Sequence, residues 1–224
     1  MNWTALVWPL LILAMVVGVY AQFKVKAAVR KYSQVPLSSG LSGAQVAHEI
    51  LERAGIHDVS VEGIDSYLGD HYDPTKKRLC LSPAIFQGRS VAAAGIAAHE
   101  CGHAIQHARA YAPLQLRMMV VPATMFASQL LPFVIFGGLF FNIFGLIMLG
   151  IAAYSMITLF QLITLPVEYN ASSRAKEILQ KYGLVSRQEA AGVNKVLNAA
   201  ALTYVAALIS AIANLLMLLA RARR

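Results

Sequence analysis

The 224-residue sequence predicts a mainly α-helical, multi-pass membrane protein with a small α+β region inserted after its first apolar stretch. Composition is the first sign. With 58% hydrophobic residues, 13% charged residues and a mean hydropathy of +0.57, the chain is too apolar for an ordinary soluble domain. Four nearly uncharged stretches, near residues 3–21, 118–139, 142–165 and 196–219, are long enough to cross a bilayer as helices. Between the first two lies a polar segment that ends in an Ala-rich run carrying His99-Glu100-Cys101-Gly102-His103.

Residues 1–21 read as an uncleaved transmembrane anchor, because they lack a basic leader and a clear small-x-small cleavage site. Lys24, Lys26, Arg30 and Lys31 follow at once, which by the positive-inside rule places the N-terminus outside and residues 22–117 in the cytoplasm. Residues 22–117 hold eleven of the nineteen Lys/Arg and residues 166–195 hold five, so both segments are expected on the cytoplasmic face. Residues 118–165 then form a transmembrane hairpin closed around Phe141-Asn142, and 196–224 a last membrane helix with a basic tail of Arg221, Arg223 and Arg224. That tail lies on the outer side if the last stretch spans, against the rule.

Within the polar segment, Gln34–Gly43 is rich in Ser, Gly and Pro and reads as a linker. Gln45–Arg53 is a short helix ended by Gly55, and its His48-Glu49 pair has no second histidine at ligand spacing. Residues 59–64 and 78–82 alternate as strands around the turn-rich Gly69–Pro74, which predicts a small antiparallel sheet. Ser90 caps a helix running from Val91 through the pentad to about Ala108.

A net charge of +8 could suggest nucleic acid, but no basic stripe is interleaved with aromatic residues or set in a binding motif. Attraction to anionic inner-leaflet lipid accounts for it better. Cys80 and Cys101 fall in the expected cytoplasmic part and predict no disulfide. Cys101 lies roughly opposite His99 on the helix, a place for a small buried hydrophobe rather than a ligand.

The His-Glu-x-x-His spacing carries specific chemistry. Two histidines four apart share one helix face and can reach one zinc ion, while the glutamate between them is offset to act as general base. An apolar helix gains nothing by burying those groups unpaired. A catalytic zinc needs a third protein ligand and an open position. His107 continues along the same helix and cannot easily bend back; His57 and His71 precede the motif. Glu168, returned by the hairpin to the cytoplasmic end of the third membrane helix, is the best candidate.

The segments Asp70-His71-Tyr72-Asp73-Pro74, His99 through His107, Tyr111-Ala112-Pro113-Leu114, Leu165 through Ser172 and Val196 through Tyr204 together resemble the YugP-type neutral zinc metallopeptidases of bacterial membranes. The likeness covers nearly the whole chain. It implies a zincin-like, gluzincin-type catalytic region with His99, His103 and Glu168 on Zn2+ and Glu100 as base. Glu168-Tyr169-Asn170-Ala171-Ser172 also resembles the Glu-x-x-Ala-Asp element of HtpX-like membrane proteases, in which the final Asp supports a zinc histidine. Here Ser172 holds that place, and Asn170 is an alternative support.

These readings converge on a membrane-embedded zinc endopeptidase acting on polypeptide substrates, membrane or misfolded proteins, at the cytoplasmic face. His107, His71, Arg174 and Tyr204 are candidate oxyanion donors, each with a structural alternative in packing, capping or lipid contact. A non-enzymatic, zinc-stabilised scaffold or adaptor is the alternative, disfavoured because a structural site has no use for Glu100. Finally, Tyr154, Thr158, Gln161, Leu165 and Glu168 align on one helix face, either as interhelical hydrogen bonding or as a hydrated path to the zinc.

Overall fold

The computed structural model describes residues 3–66 and 69–222. It is mainly helical: α1 (Trp3–Ser33), α2 (Gly43–Arg53), α3 (Pro83–Phe86), α4 (Val91–Ala108), α5 (Ala112–Val134), α6 (Phe144–Lys181) and α7 (Arg187–Ala222). Three short strands, β1 (Ser60–Gly63), β2 (His71–Asp73) and β3 (Arg78–Leu81), lie between α2 and α3. Four of the described helices contain stretches long and apolar enough to cross a membrane: Val7–Ser33, Ala112–Gly138, Phe144–Lys181 and Arg187–Ala222. This is a membrane protein. Its helices overrun the apolar stretches read from sequence, because polar residues at a helix end keep helical hydrogen bonds in water as readily as in lipid.

Contacts divide the chain into two compact units. One takes α1 up to Gln22, Pro113–Pro166 and α7 from Leu202. In it the α5–α6 connection begins with a π-helical turn, Ile135–Phe140, three residues after Pro132, and closes through Asn142 in the left-handed conformation. Gly150 of α6 lies so close to α5 and α7 that a Cβ there would come within 2.4 Å of Val134 and 3.1 Å of Leu218. The polar groups on these helices turn inward on their own backbone: Thr124 donates to the Val120 carbonyl, Ser128 to Thr124, Asn214 to Ser210. Thr158 does the same with the Tyr154 carbonyl at 2.7 Å, so its hydroxyl is used within α6. Arg221 Nη2 donates to Asn142 Oδ1, which sets the end of α7 beside the α5–α6 loop. Arg223 and Arg224 of the basic tail lie outside the described residues.

The second unit holds Phe23–Ala112 and Val167–Ala201. Ser42 and Gln45 form a capping box that starts α2 at Gly43, two residues earlier than its polar-to-apolar pattern suggests. The buried face of α2, Val46, Ala47, Ile50 and Leu51, packs on α4. Ser90 caps α4, its hydroxyl accepting from the Ala93 N–H. Fourteen of the eighteen α4 residues are buried, which explains why the helix is built from Ala and Gly: neighbours press on every side.

The expected antiparallel sheet is corrected. Its order is β1-β3-β2, with β1 parallel and β2 antiparallel to β3. The turn-rich segment itself contains β2, closed onto β3 by a turn in which Asp73 Oδ1 accepts from the Thr75 and Lys76 N–H groups. An intervening reversed strand restores the direction of β3 to that of β1. The Thr75 hydroxyl, which also donates to Asp73 Oδ1 at 2.6 Å, and with it these N–H bonds, hold the Asp73 carboxyl down at about 2.

A close backbone contact of this unit joins α4 and α6. A Cβ at Gly102 would stand 2.6 Å from the Ala171 carbonyl oxygen and 3.1 Å from its Cα, so only glycine lets the two backbones meet. We expect Gly102→Ala to force them apart at a cost of about 1–3 kcal/mol. A lower thermal midpoint together with reduced zinc content of the detergent-purified protein would show it; unchanged values in both would disprove the close-approach role.

Candidate metal centre

Gly102 lies between the two histidines of α4, so the contact it permits brings α6 against both. His99 and His103, one turn apart, stand with ring centroids 4.8 Å apart and planes at 83°. Glu168, on the first turns of α6 within this unit, points one carboxylate oxygen at both rings: Oε2 is 3.2 Å from His99 Nε2 and 3.5 Å from His103 Nε2. Three potential ligand atoms thus lie within 4.8 Å of one another. Zinc at about 2.0–2.1 Å from each donor of a tetrahedron requires ligand atoms roughly 3.3 Å apart. The two distances from Glu168 to the histidines meet that requirement.

The remaining ring nitrogens are held from behind. Gln106, fully buried, gives both amide hydrogens away, to the Val167 carbonyl at 2.8 Å and Asn170 Oδ1 at 3.0 Å. Its Oε1 therefore faces His103 Nδ1 at 3.0 Å as an acceptor, so that nitrogen carries the hydrogen and Nε2 is left with its lone pair toward the centre. Arg174 Nε donates to the same Asn170 oxygen at 2.7 Å, and its guanidinium sits over the Tyr111 ring. On the other side Ser172 Oγ is 3.2 Å from His99 Nδ1.

Glu168 is 2% exposed, and a carboxylate so buried needs a cation. Burial disfavours the imidazolium of His103, yet the Glu168 hydrogen bond and the negative charge of Glu100 outweigh it and hold the ring above its ordinary value. A divalent cation among the three side chains would meet the same need with both Nε2 lone pairs as ligands. The donor set, two imidazoles and one carboxylate, is one that zinc accepts. Glu100, one residue beyond His99, is buried and forms no hydrogen bond or ion pair among the described residues.

The structure brings His99, His103 and Glu168 together, with Ser172 on a histidine. Asn170 is one step removed, holding Gln106 instead of an imidazole, and Arg174 holds Asn170. His107 points elsewhere: its Nδ1 shares a hydrogen bond with the Tyr72 hydroxyl at 2.8 Å, and burial, reinforced by Asp58 and Asp73, pushes that phenol up to about 12. His71 is exposed, against the Gly69 carbonyl, and His57 pairs with Glu52. Tyr204 lies on α7 in the membrane unit. Cys101 faces the Ala47 carbonyl, and burial pushes its thiol well above the ordinary range. Gln106 escaped the sequence reading altogether; its position three residues after His103, on the same face, was the available signal.

Comparison with known proteins agrees with this geometry. A family model described as "Putative neutral zinc metallopeptidase" matches residues 7–223. A Bacillus subtilis (strain 168) protein named "Putative membrane protease YugP" is 48% identical over 207 residues, which is 92% of each chain. No solved structure matches the chain. With its metal-ligand cluster inside a match that runs almost end to end, the chain belongs to this neutral zinc metallopeptidase family.

Proposed function

We propose that the protein is a membrane-anchored, zinc-dependent endopeptidase of gluzincin type, with His99, His103 and Glu168 as metal ligands and Glu100 as general base. The observation that carries it is a His-His-Glu cluster, with Glu168 at zinc-ligand distances from both histidines, next in sequence to a buried carboxylate that forms no hydrogen bond among the described residues. A structural zinc site would close all four positions with protein donors. Among the described residues three are supplied, and Glu100 follows His99 directly in sequence.

Zinc, when bound, supplies Lewis acidity to a scissile carbonyl and acidifies water at the open position. The rest falls to the chain. Glu100 accepts the proton of the attacking water and returns it to the departing amine nitrogen. Gln106 holds His103 in the tautomer that presents Nε2, and Ser172 stands against His99 Nδ1. The free edge of β2, antiparallel to β3 and tied to α4 through Tyr72 and His107, can accept an extended substrate backbone as an added strand. His107 and Arg174 would each have to leave the present partner, Tyr72 or Asn170, to donate to the oxyanion. Polypeptide substrates are expected to be membrane or misfolded proteins, reached at the cytoplasmic face to which the Lys/Arg distribution assigns residues 22–117 and 166–195.

Glu100→Gln should keep fold and zinc and lose cleavage by at least about 100-fold, since an amide of equal size cannot take a proton. Wild-type turnover of an unfolded protein substrate by the purified variant would refute the assignment.

Glu168→Ala should strip most of the zinc. Gln106→Leu should weaken zinc binding by about 10–100-fold, as loss of a ligand's hydrogen-bond partner does. His107→Ala should leave the metal in place. Full zinc in the Glu168 variant, measured by metal analysis after dialysis against a weak chelator, would overturn the ligand set.

A cysteine placed at Gln34 should resist a membrane-impermeant thiol reagent in intact cells, whereas one at position 2 should label. The reverse pattern would put the metal cluster outside.

A further inference from the structure

Away from the metal, α1 and α7 of the second unit enclose an open cleft of about 400 Å³, a volume suited to a small ligand. Its α1 wall is Lys24, Ala27, Ala28 and Lys31, the i, i+3, i+4, i+7 face of that helix; its α7 wall is Lys195, Asn198 and Ala199. Alanines at the centre leave the space, and lysines stand at its rim. A fourth ammonium is delivered by α6, where Lys176 Nζ donates to Asn198 Oδ1 at 2.6 Å. Tyr32 closes one end, its ring fixed where a Cβ on Gly192 would approach to 2.7 Å.

Four cations thus converge where no carboxylate lines the wall, and among the described residues Lys31, Lys176 and Lys195 form no ion pair. Mutual repulsion of this kind is relieved by a bound anion. The level of the cleft along both helices names the anion's source. On α1, Lys24 is the first charge after the uncharged run from Trp3 to Phe23; on α7, Lys195 is the last charge before the uncharged run to Ala220. Both helices change from charged to apolar at the cleft, which is where the headgroup layer of a membrane lies. Beside Lys24, Phe23 is 70% exposed, as a residue facing acyl chains would be.

We propose that this cleft binds the phosphodiester headgroup of an anionic glycerophospholipid, Lys31 and Lys195 gripping the phosphate from opposite helices. The test uses full-length, detergent-purified protein titrated with phosphatidylglycerol, phosphatidylcholine or inorganic phosphate, with bound lipid counted by native mass spectrometry. One phosphatidylglycerol should be retained and phosphatidylcholine should not. Lys31→Gln/Lys195→Gln should weaken retention by about thirty-fold, about five-fold per lysine. Ala27→Phe, which fills the space and keeps every lysine, should abolish it, whereas Lys76→Gln/Lys181→Gln, an equal charge loss elsewhere, should change nothing. Equal retention of phosphatidylcholine, equal loss in the Lys76/Lys181 control, or retention by Ala27→Phe would overturn the proposal. So would displacement of the lipid by millimolar inorganic phosphate, which would make this a site for free phosphate. Should the double lysine variant fail to fold, Ala27→Phe and the wild-type lipid comparison decide alone.

Discussion

Burying the Glu168 carboxylate against two imidazoles would cost several kcal/mol if any partner were misplaced, and its placement rests on two helix backbones meeting at Gly102 and Ala171. A side chain at Gly102 would press on the Ala171 backbone of α6, the helix that carries Glu168. The apolar packing around this point works toward the same end. Val167, Ala171, Ala175 and Leu179 repeat every four residues along the buried face of α6, and Ala98, Cys101 and Ile105 are among the residues that fill α4's surroundings. Small residues near the contact permit closeness, and larger ones farther out hold the helices in register.

Polar groups then give the site a direction. Arg174 and Gln106 both donate to Asn170 Oδ1, so the Gln106 amide has a single orientation, and that orientation dictates which nitrogen of His103 carries its hydrogen. Ser172 stands behind His99 at its Nδ1. Three of these groups, Asn170, Ser172 and Arg174, follow Glu168 at steps of two along α6, so the helix that brings the ligand brings its support. The pair of units shares α1, α6 and α7 as continuous helices. Insertion into a bilayer and assembly of the metal cluster therefore draw on the same stretches of chain.

A clustered set of lysines at the cleft of α1 and α7 fits this economy of elements. The net charge of +8 is not spread evenly: part of it is collected where both helices turn apolar. Lipid of the right charge would hold these two helices together at the membrane surface, and their packing is continuous with the core that includes α4.

Much was legible in the residues themselves because it depends on local periodicity. Apolar runs of about twenty residues announce membrane helices, Ser90 before an Ala-rich run announces α4, and histidines four apart announce a shared ligand face. The return of Glu168 followed from the tight loop at Phe141-Asn142. Other features depend on contacts between distant segments. The three-residue β2 carries too little pattern to be separated from a turn, and missing it inverted the pairing of β1 with β3. Gln106 is chemically unremarkable until Val167 and Asn170 fix its amide, and His107 could be a ligand neighbour until Tyr72 claims its Nδ1. Sequence alone determined which groups share a helix face, since helical geometry is set by bonds four residues long. Only the tertiary structure decided which of them meet across helices, because the approach of α4 to α6 depends on side chains, Gly102 foremost, whose role lies in what they leave empty.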